Sequence, residues 1–183
     1  MVGELLSRKL RRGFQALDTN EDGTLDVQDF EAAGRRFVDA LGIDVQQPEA
    51  RAVIDGWVQL WRDVIAPMDQ DHDNQVSFEE FSSALTQRIG ADPDSYNRYL
   101  GPLVDATLST ADRARKGWLT PDEFQLLYQT MFRLSDHATR SAFAHLDADS
   151  DGRLTLAELR QAIAEFWGTD DESARGNWLF GPL

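Results

Sequence analysis

Twelve residues constrain this chain more than any other stretch: Asp147 to Glu158, reading Asp-Ala-Asp-Ser-Asp-Gly-Arg-Leu-Thr-Leu-Ala-Glu. Carboxylates stand at positions 1, 3 and 5 of the segment (Asp147, Asp149, Asp151), and Arg153 at position 7 offers a backbone carbonyl. Thr155 stands at position 9, and Glu158 at position 12 brings two oxygens on a long arm. A calcium ion takes roughly six to eight oxygens, and this spacing wraps them around one point. Gly152, at position 6, permits a sharp backbone turn that a β-carbon would resist.

The surroundings of this loop recur. Apolar residues stand four and one residues before it (Phe143, Leu146), at position 8 inside it (Leu154) and just after it (Leu159). The same frame appears around Asp18 (Phe14, Leu17, Leu25, Phe30), Asp69 (Ile65, Met68, Val76, Phe81) and Asp112 (Leu108, Ala111, Leu119, Phe124). The first two positions share one face of an entering helix and the last begins the apolar face of a leaving helix. Position 8 suits a short extended segment, so Leu25 can pair with Val76 and Leu119 with Leu154. Ser77-x-x-Glu80, Thr120-Pro121-x-Glu123 and Thr155-x-x-Glu158 read as capping boxes that start helices. Four EF-hands and an all-α fold of eight helices follow. Apolar residues from Val53 to Met68 recur at i, i+3, i+4 and predict a long third helix. Gly90 to Pro93 is the expected boundary between the two pairs of hands, and Gly101-Pro102 is expected to bend or delay the helix entering the third hand. The domains are thus residues 1–90 (loops 18–29 and 69–80), 91–167 (loops 112–123 and 147–158) and a tail, 168–183.

The loops differ in their ligands. The second offers Asp69, Asp71, Asp73, the Gln75 carbonyl, Ser77 and Glu80; Asn74 replaces the usual Gly and tolerates the left-handed conformation. The first offers Asp18, Asn20, Asp22, the Thr24 carbonyl and Asp26, and closes on Asp29. That arm is one methylene shorter than Glu, so the first loop should bind most weakly and be the one where magnesium competes best. In the third loop Ala114 and Lys116 stand at positions 3 and 5, and an ammonium there repels a cation. That loop is expected to support the fourth without binding an ion. Two to three Ca2+ ions are therefore expected, with any cooperativity confined to the first two loops.

The formal charge is −14, which argues against a nucleic-acid partner, since phosphate binding needs a basic surface. Twelve carboxylates stand at ligand positions of the three competent loops, so most of this acidity is site chemistry. Cysteine is absent, which excludes disulfides and thiolate metal sites. No apolar run is long enough to span a bilayer, and Met1 to Leu10 shows neither a signal peptide nor a myristoylation site. A cytoplasmic monomer without a membrane anchor is expected. No nucleophile–base pair or phosphate-cradling loop appears, so the chain does not read as an enzyme. His72 points away from an ion at position 4, and His137 and His145 are scattered helical residues.

The whole chain resembles the sarcoplasmic calcium-binding protein group, which includes calexcitin and calerythrin. The likeness rests on four hands at this length, one disabled loop, loop starts at 18, 69, 112 and 147, and the ending Gly176-Asn177-Trp178-Leu179-Phe180-Gly181-Pro182. The resemblance implies two pairs of hands packed into one compact globule that buffers calcium or carries its signal. A sensor that opens a groove for a target protein is the alternative, but such grooves are Met-rich, and this chain has 3 Met against 10 Phe and 5 Trp. Trp167, Trp178, Leu179, Phe180 and Leu183 are expected to fold back into that groove, or else to dock on a partner. A luciferin-binding protein or photoprotein shares the architecture. Photoproteins hold their chromophore with His and Tyr near the carboxy terminus, and here no His follows His145 and no Tyr follows Tyr128.

Overall fold

Leu6, Leu10 and Phe14 recur at helical spacing, and Leu10 and Phe14 are buried on the inner face of α1 (Glu4–Leu17). The structure, a computed structural model, describes residues 3–89, 104–105 and 107–183. After α1 come β1 (Thr24–Leu25), α2 (Val27–Ala40), α3 (Pro48–Leu60), β2 (Val76–Ser77) and α4 (Phe78–Ile89). Then follow α5 (described at 104–105 and 107–111), β3 (Trp118–Leu119), α6 (Pro121–Phe132), α7 (Asp136–Leu146), β4 (Leu154–Thr155) and α8 (Leu156–Gly168). A 3-10 turn, Arg175–Trp178, ends the order. The fold is all-α, with four helix–loop–helix units. The expected boundary at Gly90–Pro93 and the bend at Gly101-Pro102 lie outside the described residues, as do Tyr96, Tyr99, Leu100 and Leu103.

Local chemistry sets the helix starts. Thr120 and Thr155 each accept from the amide of the Glu three residues on, while that Glu reaches back to the cap amide. Ser77 and Glu80 exchange the same two bonds. A fourth reciprocal cap, Asp26 with Asp29, starts α2. Ser135 caps α7 through the Ala138 amide.

The third helix departs from its expected regularity. After Leu60 the chain widens into a π turn, Trp61–Ile65, and then tightens into a 3-10 turn, Ala66–Met68. Pro67 explains both: it has no N–H to give Asp63, and its ring clashes with that carbonyl, so the i→i−4 ladder cannot continue. The Ala66 amide bonds instead to the Trp61 carbonyl, five residues back.

Each pair of loops is joined by a two-residue antiparallel ladder. Leu25 faces Val76 in one, and Leu119 faces Leu154 in the other. The two halves meet through aromatic side chains and arginine clamps. Trp57 of α3 lies edge-on to Phe132 of α6, with ring centres 5.9 Å apart. Arg36 of α2 donates to the Thr130 and Met131 carbonyls (2.9 and 3.0 Å), which cap the end of α6. Phe14, Phe81 and Trp167 carry the contact from α1 through α4 to α8. A β-carbon at Gly13 would strike the Trp167 indole, so that close approach requires glycine.

The last sixteen residues lie on the C-terminal half. Leu179 and Phe180 are buried, and Phe180 packs against Tyr128, Phe132, Phe166 and Trp167 with ring centres 5.1–6.3 Å apart. Trp178 stacks on His145 at the end of α7, 3.6 Å between centres and 8° from parallel. The N-terminal helix holds this segment. Lys9, with 0% exposure, donates to the Glu165 carbonyl (3.1 Å), the Thr169 carbonyl and Asn177 Oδ1 (3.1 Å). Arg12 donates twice to the Phe180 carbonyl (3.0 and 2.7 Å), and Asp170 Oδ1 accepts from the Leu6 amide (2.8 Å).

Candidate metal centres

All four loops share one backbone path. Position 4 takes positive φ at Glu21, His72, Arg115 and Ser150, and position 6 does so at Gly23, Asn74, Gly117 and Gly152. Asn74 holds φ +67 in the place of the usual glycine, as its tolerance of that region allows. The fold directs the position-6 amide onto the first carboxylate. Gly23, Asn74 and Gly152 donate to Asp18, Asp69 and Asp147 at 3.0, 2.9 and 2.9 Å. The carboxylate at position 5 accepts from the amide at position 7: Asp22 from Thr24, Asp73 from Gln75 and Asp151 from Arg153, at 2.9, 2.8 and 2.8 Å.

In two loops three carboxylates converge. Asp69, Asp71 and Asp73 bring oxygens within 4.8 Å of one another, and so do Asp147, Asp149 and Asp151. Three anionic oxygens at this range repel one another and suit a hard divalent ion. Their closing glutamates are held alike. Glu80 accepts from the Gln70 amide (2.8 Å) and from the Ser77 amide and hydroxyl (both 2.8 Å). Glu158 accepts from the Ala148 amide (2.9 Å) and from the Thr155 amide and hydroxyl (2.9 and 2.7 Å). The bond from the Gln70 amide, with those from Ser77, holds the Glu80 carboxyl below the usual range. Ser77 and Thr155 are thus engaged as helix caps, and position 9 is often linked to the ion through water.

The first loop is different. Asn20 replaces the second carboxylate, and its side-chain oxygen accepts from the Asp22 amide (2.9 Å). Asp26 caps the Gln28 amide (2.6 Å). Asp29 is only 1% exposed and is bound on both oxygens, by the Thr19 amide and hydroxyl and the Asn20 amide on one side and the Asp26 amide on the other. Burial pushes its carboxyl above the usual range in spite of these bonds. The short arm is therefore drawn into the protein. Thr19, at position 2, is a participant that the ligand pattern does not reveal.

The third loop keeps the path and changes the occupant. The Lys116 ammonium lies 2.7 and 2.9 Å from the two Glu123 oxygens and 3.2 Å from Asp112 Oδ1. Position 5 alone signals a charge that repels a divalent ion; that the ammonium itself reaches these carboxylates follows from the folded loop.

The chain is similar to known calcium-binding proteins. A family model described as an EF-hand domain pair matches residues 7–86, and a second of the same description matches residues 104–164. Calerythrin of Saccharopolyspora erythraea is 26% identical over 167 residues, which span 91% of this chain and 94% of that protein. Sarcoplasmic calcium-binding protein 1 of Astacus leptodactylus is 27% identical over 181 residues, spanning 91% and 90%. A Streptomyces coelicolor calcium-binding protein, whose structure addresses prokaryotic calcium-mediated regulation, superposes with TM-score 0.78 at 26% identity over 89% of this chain and 98% of that one. The coelenterazine-binding protein of Renilla muelleri superposes over 100% of both chains with TM-score 0.75, and at 18% identity it shares the fold alone.

The fold and the loops are those of a calcium-binding EF-hand protein. Within that class its full-length likeness is to the sarcoplasmic calcium-binding protein and calerythrin type. Among the described residues no helix is long and apolar enough to cross a membrane.

Proposed function

We propose that the chain is a calcium buffer that takes up three ions, at loops 18–29, 69–80 and 147–158. The observation that carries this reading is the tail. Leu179 and Phe180 are buried against α6 and α8, on a face that a sensor would offer to a target helix. Lys9 and Arg12 tie that segment to α1, so the face is already filled by the chain itself. Scarce Met and abundant aromatic residues point the same way.

Calorimetric titration of the full chain with calcium tests the reading. Three ions are expected, with magnesium displacing calcium most easily from the loop closed by Asp29. E80Q and E158Q should each remove one ion from the stoichiometry. Losing a charged ligand weakens a site by about a hundredfold or more, since even the partners of a ligand are worth about 10- to 100-fold. D29E should tighten calcium at the first loop by about tenfold, or about 1.4 kcal/mol, by extending the arm to two-oxygen reach, and should reduce magnesium competition. A titration in which D29E changes neither property would remove the account of that loop.

A second reading, calcium-triggered signalling, is favoured by two contacts at His145. Trp178 stacks on His145, and Arg175 donates to the His145 carbonyl (3.2 Å), two residues before Asp147. An ion that moves α7 would move the tail with it. The Streptomyces relative, described in terms of calcium-mediated regulation, lends this reading its context. An apolar reporter dye separates the two: a buffer leaves its fluorescence unchanged on adding calcium, and a sensor raises it.

A further inference from the structure

We propose that the third hand is permanently loaded by its own cation, the Lys116 ammonium, and so serves as the preformed, metal-independent half of the C-terminal pair. A divalent ion in such a loop bridges the carboxylates at positions 1 and 12. Lys116 Nζ bridges the same two, touching Asp112 Oδ1 and both oxygens of Glu123. A compact ammonium with three donors suits this place, where a planar guanidinium would not.

The closing residue of each loop marks the difference. In the second and fourth loops one oxygen of the closing Glu accepts from the amide at position 2, Gln70 or Ala148. In the first loop Asp29 does the same with Thr19. In the third loop the corresponding oxygen, Glu123 Oε1, faces Lys116 instead. The remaining contacts are those of its neighbours: Gly117 donates to Asp112 Oδ2, and the Thr120 amide and hydroxyl donate to Glu123 Oε2. The contacts at positions 1, 6, 9 and 12 are kept, while the ammonium takes the place of the position-2 amide on Glu123, and that amide, Arg113, turns to the Ala111 carbonyl. Asp112 is 4% exposed, and a buried carboxylate of this kind requires a counter-charge.

The tethered cation acts on the fourth loop through the ladder between them. Trp118 pairs with Thr155, and Leu119 with Leu154. The Lys116 ammonium and the Arg153 guanidinium both lie over the Trp118 ring, 4.8 and 4.7 Å from its centre. Arg153 and Thr155 are positions 7 and 9 of the fourth loop. Lys116 is thus a positioning residue for that site: it holds the strand against which the fourth loop's ligands are aligned. The C-terminal pair then binds a single ion in one non-cooperative step.

The chain has only two lysines, Lys9 and Lys116, so a nitrogen-detected spectrum of lysine side chains holds two ammonium signals. In wild-type protein in chelator, the signal with a nuclear Overhauser contact to the Trp118 ring should be protected from exchange at neutral pH and stay in place when calcium is added. An ammonium there that exchanges as a free one overturns the proposal. This measurement needs neither calcium nor a variant, so its failure is separate from any failure of the calcium-binding reading on which the second arm rests. In that arm, calcium binding at the fourth loop is followed through the Gly152 amide. K116M should weaken it about tenfold, a coupling of ordinary size between sites, and unchanged affinity overturns the proposal. A114D/K116D should add one ion to the calorimetric stoichiometry and make the C-terminal pair cooperative; no added ion counts against the proposal.

Discussion

Excess calcium is expected to raise the melting temperature of this chain by about 15–30 °C over its value in chelator. The figure follows from the site geometry and from linkage. Each of the three proposed ions, bound only by the folded form, stabilises it by about 3 kcal/mol at a hundredfold excess over Kd. A chain of this length shifts by about 2–4 °C per kcal/mol. Two loops crowd three carboxylates within 4.8 Å, so the metal-free fold also carries local repulsion that an ion removes. Differential scanning calorimetry with calcium, with magnesium and with chelator measures the effect. Magnesium should give the smaller rise, because it demands near-ideal octahedral geometry and dehydrates reluctantly. A melting curve unmoved by chelator would show that the converging carboxylates do not hold an ion.

Removing residues 168–183 has the second large effect. It exposes the rings of Phe166, Trp167 and Phe132 that Phe180 covers. Burial of Leu179 and Phe180 is worth about 1.5–3 kcal/mol each. The truncation also takes the Thr169 carbonyl and Asn177 Oδ1 from a lysine with 0% exposure, and a buried donor left unmade costs about 1–3 kcal/mol or more. The truncated chain should melt about 10–20 °C lower in calcium and bind an apolar dye strongly. F180A isolates the packing part, at about 3–5 kcal/mol. If the truncated chain neither binds dye nor loses stability, the tail is an ornament of the fold and the buffer reading loses its support.

What could be read in advance was local. The four apolar frames, the capping boxes at Ser77, Thr120 and Thr155, and the left-handed turn at Asn74 depend on residues within a few positions of one another. They appear where their spacing puts them. The misjudged or missed features depend on reach or on competition. Pro67 stands inside an unbroken apolar stripe, and its missing amide breaks the ladder that the stripe seemed to promise, giving a π turn. Asp29 reads as a weak ligand by arm length alone; its burial and its bonds to Thr19 arise from packing around α2. Nothing near Lys9 in the sequence signals its role, because its partners lie 156 to 168 residues away. Lys116 gives the right sign of charge for excluding an ion, while the place its ammonium occupies depends on how the loop folds around it.

The two lysines have a consequence for reagents. Of 18 basic residues, 16 are arginine, so the cationic part of the exterior is guanidinium, whose charge does not vary across the accessible pH range. Both ε-amines are held by oxygen partners, the buried Lys9 clamping the ends of the chain and the partly exposed Lys116 seated in the third loop. Acylating agents and amine-directed cross-linkers therefore meet, apart from the α-amine, only two ε-amines, each already bonded to oxygen atoms. A rise in the reactivity of either lysine then reports that its clamp has loosened, so lysine labelling becomes a gauge of local opening at two known points.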